Sequence, residues 1–166
     1  MTRTAETMEI WNTLDTVLDP EVPALSVTDL GIIRDVKLSD GGKVVIDVTP
    51  TYSGCPATDL ISEIIKAAVV SSGHEDVTIK TVLSPTWTTD WITEDGRKKL
   101  KEYGIAPPVG EAATGKAALL GISPVVHCPR CDSTQTEQVS EFGSTACKAM
   151  YRCTSCLEPF EYFKCI

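Results

Sequence analysis

The chain has 166 residues, of which 42% are hydrophobic and 23% charged, the balance of a folded globular protein, so wholesale disorder is excluded. That length allows one ordinary domain, or a domain of about 100 residues with a small module attached. With 15 basic and 23 acidic residues the formal net charge is -8, which repels nucleic-acid phosphates and anionic membranes and favours proteins, metals or small molecules as partners.

The N-terminus MTRTAETMEI has no apolar leader core, and no run approaches a bilayer span, so a cytoplasmic protein is expected. Seven cysteines in that compartment read as metal ligands or reactive thiols rather than structural disulfides. From Thr4 to Leu18 the residues Met8, Trp11, Leu14 and Leu18 recur every three or four positions, which predicts an amphipathic helix stopping at Asp19-Pro20. In the following loop, DPEVPALSVTDLG, the acids Asp19 and Glu21 could bind a cation. Asp-Pro chemistry gives them a simpler role, the shaping of a turn.

Alternation in Ile32 to Leu38 and in Lys43 to Thr49, around SDGG, predicts a hairpin. It delivers the chain to Thr49–Ala68, TPTYSGCPATDLISEIIKAA. Pro56 suits a first helical position, and Leu60, Ile61, Ile64, Ile65 and Ala68 follow at helical spacing, which puts Cys55 at the N-cap. Unpaired N–H groups and the positive end of the helix dipole lower a thiol pKa there and favour the thiolate, a nucleophile and metal ligand. The alternative is an inert, buried cysteine that happens to precede a helix.

This helix is expected to end near Ser72, with Gly73 in the left-handed position. A third strand over Val77 to Leu83 and a short helix in TEDGRKKLKEYGI, closed by Gly104, complete an α+β domain in which helices pack on one side of a small mixed sheet. Trp87 and Trp91 in SPTWTTDW are core residues or a docking surface.

Between Ala106 and Pro124 the composition shifts to Pro, Gly and Ala, which reads as a linker between a domain at 1–105 and a module at 125–166. In that module Cys128-Pro-Arg-Cys131 and Cys153-Thr-Ser-Cys156 are two C-x-x-C pairs with 21 residues between them. Each pair places two thiolates on one tight turn, and two such turns on a β-ribbon complete a tetrahedral S4 site. Four cysteines leave no position open for water, so structural zinc is expected. Iron suits the same tetrahedron, but the glycine usual after the second cysteine of an iron knuckle is replaced here by Asp132 and Leu157.

So short a module has little apolar mass, and the metal is expected to supply its folding energy. Val139 to Phe142 and Tyr151 to Phe163 read as the ribbon strands; Cys147 and Cys165 are buried thiols, reserve ligands or redox-active residues, and an aromatic-rich ribbon favours the first.

Several motifs then fall in order: DPEVP (Asp19 to Pro23), DLGII (Asp29 to Ile33), TPTYSGCP (Thr49 to Pro56), and W-x-x-x-W-I-T-x-x-G-R-x-x-L-x-x-x-G-I-x-P-P (Trp87 to Pro108). Together they resemble the MIP18-like (DUF59) family over Ile10 to Pro108. The resemblance implies work in iron–sulfur cluster assembly and metal-centre maturation, with Cys55 as the functional residue and Asp19 and Glu21 within the signature. With the tail FGSTACKAMYRCTSCLEPFEYFKCI added, nearly the whole chain is similar to one group, the D components of ring-1,2-phenylacetyl-CoA epoxidase systems of phenylacetate degradation.

That similarity implies an accessory role toward the oxygenase and reductase subunits of such a system, with transient iron or an iron–sulfur fragment held on Cys55. One thiolate cannot hold a cluster alone, so a homodimer, the Asp19/Glu21 loop or a partner's ligand would complete the shell. A docking component with structural zinc alone is the alternative. Catalysis of the oxygenation itself is unsupported: no Glu-x-x-His pair occurs, the histidines are His74 and His127 only, and no Gly-x-Gly-x-x-Gly follows a strand.

Overall fold

A computed structural model describes residues 5–39, 41–52, 57–109 and 125–164. Two compact units divide the chain, Met1–Trp87 and Thr88–Ile166. Together they make a mixed α+β protein with two small sheets and, among the described residues, three α-helices. No described helix is long and apolar enough to cross a membrane.

The first unit runs α1 (Ala5–Asp15), β1 (Ile33–Leu38), β2 (Val44–Val48), α2 (Ala57–Ser71) and β3 (Val77–Thr81). The β1–β2 hairpin is antiparallel, β3 joins β2 in parallel, and the sheet order is β1-β2-β3. A parallel partner needs a crossover, which α2 supplies. Val36, Val44, Ile46, Val48 and Val77 are buried from the sheet, with Ile10 and Leu14 from α1 and Ile61, Ile65 and Val69 from α2.

Two helices differ from the sequence expectation. α1 ends at Asp15 because the next residues pair with the loop: Val27 N–H donates to Val17 O (2.9 Å), and Leu18 bridges Ser26. Its buried side is therefore Ile10 and Leu14, while Met8 and Leu18 are exposed. On α2 the buried stripe is Ala57, Ile61, Ile65 and Val69, and Leu60 faces outward. Gly73 is left-handed (φ 108°), as a helix stop demands. Trp87 is core: it is 3% exposed, and its Nε1–H donates to Leu30 O at 2.8 Å.

The second unit contains a short 3-10 turn (Thr89–Trp91), α3 (Glu94–Tyr103), β4 (Ile105–Ala106), β5 (Thr136–Ser140), β6 (Lys148–Cys153) and β7 (Pro159–Phe163). The run from Thr89 to Pro108 is a local framework. The Thr93 hydroxyl accepts from Gly96 N–H at the start of α3, and Gly104 (φ 96°) closes the helix. Arg97 donates to Thr89 O (2.8 Å) and Pro108 O (2.7 Å), tying the two ends together.

β4 then pairs in parallel with β7, in a sheet ordered β4-β7-β6-β5. Ala106, counted with the linker by composition, is thus a strand residue, and α3 and β4 lie in the second unit. The expected strand over Tyr151 to Phe163 is two strands separated by the second cysteine turn. Their inner face packs Ala149, Tyr151, Phe160 and Tyr162 with Ala106, Val126, Cys128 and Cys153. The Tyr151 ring lies 6.0 Å from Phe160 and 5.5 Å, edge-on, from Tyr162. This core is larger than expected for a bare ribbon, so apolar packing contributes to its folding alongside any metal.

Candidate functional site

The two C-x-x-C turns meet at one end of the β5–β6–β7 ribbon. In the first, Cys128 N–H donates to Ser133 O and Asp132 N–H to Cys128 O; in the second, Cys153 N–H donates to Glu158 O. Asp132 (φ 60°) and Leu157 (φ 66°) are both left-handed. These are the residues that stand where a knuckle glycine is usual.

The folding of these turns brings Cys128, Cys131, Cys153 and Cys156 together, with all four sulfurs within 4.8 Å of one another. Two of the separations are 3.7 Å (Cys128–Cys156) and 3.6 Å (Cys131–Cys153). A tetrahedral site with metal–sulfur bonds of about 2.3 Å has edges of about 3.8 Å. The donor set therefore fits a four-coordinate thiophilic ion. Cys128 and Cys153 are buried, and Cys131 and Cys156 are exposed.

Contacts that involve no metal join the turns. The Ser133 and Ser155 hydroxyls are hydrogen-bonded (2.8 Å), Thr154 donates to Gln135 O through both its N–H and its hydroxyl, and Arg130 reaches Glu158 (3.4 Å). Lys101 of α3 pairs with Asp132 at 2.8 Å and holds its carboxyl below the usual range. None of these ties was legible in the sequence, because serine, threonine and glutamine carry no spacing signal of their own.

The four thiols are not equivalent without a metal. The Cys156 N–H, 3.4 Å from the Cys153 sulfur, leads a set of donors that draws this thiol down to about 6. At Cys131 the Ser133 backbone pulls the same way but is outweighed by the neighbouring sulfurs and by burial, and the thiol is pushed up to about 12. Cys153 thus gives up its proton more readily than Cys131.

Cys55 lies outside the described residues, as does Cys165. The described chain leaves β2 at Val48, continues to Tyr52 and resumes at Ala57, the first residue of α2. Of the loop acids, Asp19 is buried and shapes a turn, its Oδ1 accepting from Glu21 N–H (2.8 Å) and Val22 N–H (2.7 Å). Glu21 is half-buried, its backbone committed to that turn. Nearby, Ser26 and Asp29 cap each other reciprocally, each side chain accepting the other's N–H at 3.0 Å, a pattern readable as S-x-x-D. Cys147 is buried beside the Thr145 hydroxyl (3.0 Å), apart from the four-sulfur group.

Comparison with known proteins divides the chain in the same sense. Residues 7–81 match the family described as iron-sulfur cluster assembly protein, and residues 112–164 match the PaaD zinc beta ribbon domain. A protein of Escherichia coli (strain K12), named as the D component of a "Putative 1,2-phenylacetyl-CoA epoxidase", is 51% identical over 158 residues, covering 95% of this chain and 92% of that protein. An Fe-S protein maturation auxiliary factor from Porphyromonas gingivalis is 37% identical over 93 residues, covering 55% of this chain and 88% of that factor. The crystal structure of a DUF59 domain of unknown function from Bacillus anthracis superposes with a TM-score of 0.53 at 24% identity, covering 56% of this chain and 89% of that one, a likeness of fold alone.

Proposed function

Because the chain belongs to the iron–sulfur cluster assembly (MIP18-like, DUF59) family, in the branch that carries a PaaD-type zinc ribbon, we propose that it is an accessory component of a multicomponent phenylacetyl-CoA ring epoxidase. In this reading it assists assembly of the iron centre of the oxygenase or the iron–sulfur centre of the reductase, and performs no ring oxidation by itself. The observation that carries it is the 51% identity with the Escherichia coli epoxidase component, which spans 95% of this chain. The match over residues 7–81 to iron–sulfur assembly proteins supports iron or an iron–sulfur fragment as cargo, and Cys55 is the sole thiol in that span.

A second copy of the chain, or a ligand from the recipient, would complete the shell around Cys55. Asp19 is the weaker contributor, because one carboxylate oxygen already holds the 19–22 turn. The ribbon cysteines would hold zinc in a saturated site, tying the two knuckles together without an open position for chemistry. The division of labour follows the two units, with transfer in the first and a stable ion in the second.

The test is Cys55→Ala in a strain that produces the whole system. The expected result is a recipient protein with reduced iron content and reduced activity. A fully loaded, fully active recipient overturns the transfer role and leaves a docking component with structural zinc. Iodoacetamide labelling separates these independently: rapid reaction of Cys55 well below the ordinary thiol pKa goes with transfer, and a slow, ordinary pH profile goes with docking.

A further inference from the structure

We propose that the two outward ligands of the four-sulfur site, Cys131 and Cys156, form a peroxide-oxidisable pair whose closure into a disulfide expels the bound ion while the second unit stays folded. The inference rests on the metal reading of the ribbon and is independent of Cys55. Three observations carry it.

The first is an asymmetry of access. Cys128 and Cys153 are 0% exposed and belong to the apolar core, whereas Cys131 and Cys156 are exposed residues. Metal ligation keeps all four sulfurs as thiolates, the reactive form, and access then decides which of them an oxidant reaches. The second is connectivity. The exposed pair takes one sulfur from each turn, and these sulfurs lie within 4.8 Å, so their union would cross-link the knuckles rather than close either C-x-x-C loop on itself.

The third is a set of contacts around the site that are made without any sulfur–metal bond. The Ser133–Ser155, Thr154–Gln135, Arg130–Glu158 and Lys101–Asp132 contacts join the turns to each other and to α3. The Tyr151, Phe160 and Tyr162 core lies beneath them. These contacts are expected to outlast the ion.

The chemistry balances with a hydroperoxide as oxidant. The Cys131 thiolate attacks one peroxide oxygen and the O–O bond breaks, giving a sulfenic acid and hydroxide. The Cys156 thiolate then attacks that sulfur, forming the S–S bond and releasing a second hydroxide. Two electrons pass from the sulfur pair to the peroxide. The ion loses two of its four ligands and dissociates from Cys128 and Cys153.

The test uses the metal-loaded full-length protein with one equivalent of hydrogen peroxide. Ion release is followed with a chromogenic chelator, disulfides by peptide mapping, and packing of the tyrosine core by near-UV circular dichroism. One ion released per disulfide, a cross-link mapped to Cys131–Cys156, an unchanged near-UV spectrum, and recovery on adding reductant and metal are expected. Full retention of the ion, a cross-link confined to either C-x-x-C loop or involving Cys55, or release with loss of the near-UV signal would each overturn the proposal.

Discussion

Leu157 closes the second cysteine turn in a left-handed conformation (φ 66°), which costs a non-glycine residue roughly 1–2 kcal/mol. Its side chain is 61% exposed, so little packing opposes a change. Leu157→Gly should therefore leave stability unchanged or raise it by up to about 1 kcal/mol, the relief of strain being partly offset by glycine's backbone entropy. Chemical denaturation of the metal-loaded protein measures this, and a loss would mean that packing of the leucine side chain outweighs the strain. Asp132 and Leu157 lack glycine's freedom yet adopt glycine's backbone, so a missing glycine says nothing about which metal the turn holds. A second residue-scale prediction concerns protons. Cys153 is drawn down to about 6 while Cys131 is pushed up to about 12 and Cys156 is also raised. Metal binding near pH 7.5 should thus release the protons of Cys131 and Cys156 but little from Cys153. Calorimetric titration in buffers of different ionisation enthalpy would read at least two protons per ion, and release of one or none would contradict the assignment.

At the scale of elements, β6 and β7 are held by an ion pair as well as by their ladder. Lys148 is 2% exposed and meets Glu161 at 3.1 Å, and the other Glu161 oxygen accepts Ser144 N–H. Burial pushes the Glu161 carboxyl up, but the Ser144 donors and the Lys148 ammonium prevail and hold it below its ordinary value. A depressed folded-state pKa gives stability that is fully present above the unfolded carboxyl pKa of about 4.3 and is lost as pH falls through the lower folded value. Glu161→Gln should cost roughly 1.5–3 kcal/mol at neutral pH by removing the carboxylate that meets the buried Lys148 ammonium, and should flatten the acid side of the stability profile. Denaturant midpoints at pH 7 and pH 4 test both parts; an equal loss at the two would refute the linkage. Helices and hairpins were legible because their signals are local, as with the alternation in β2 and the glycine after α2. The end of α1 was not, since it is set by Val17 and Leu18 pairing with Ser26 and Val27, a contact across a loop that periodicity does not register. β4 was hidden for a related reason: two residues in a Pro-rich stretch become a strand only because β7, much later in the chain, offers an edge.

At the scale of the molecule, the four cysteines of the site were readable from spacing alone, and the chain divides into two units between Trp87 and Thr88. The position of the seam was not readable, because Arg97, Gly104 and Ala106 work on behalf of a sheet formed far beyond them in sequence. A fragment of residues 88–166 should therefore fold with dispersed amide resonances when metal is supplied. One of residues 125–166 loses α3, β4 and the Lys101–Asp132 pair, and should be poorly ordered under the same conditions. Equal order in both would show that α3 and β4 are decoration.

The buried aspartate at position 19 changes how genetics on this family should be read. Its oxygen restrains two backbone amides, so replacing it loosens the loop between α1 and β1 whatever else the residue does. A strain crippled by such an allele first reports a shortened protein lifetime, and only a variant with an unaltered melting curve can speak to chemistry at the thiol.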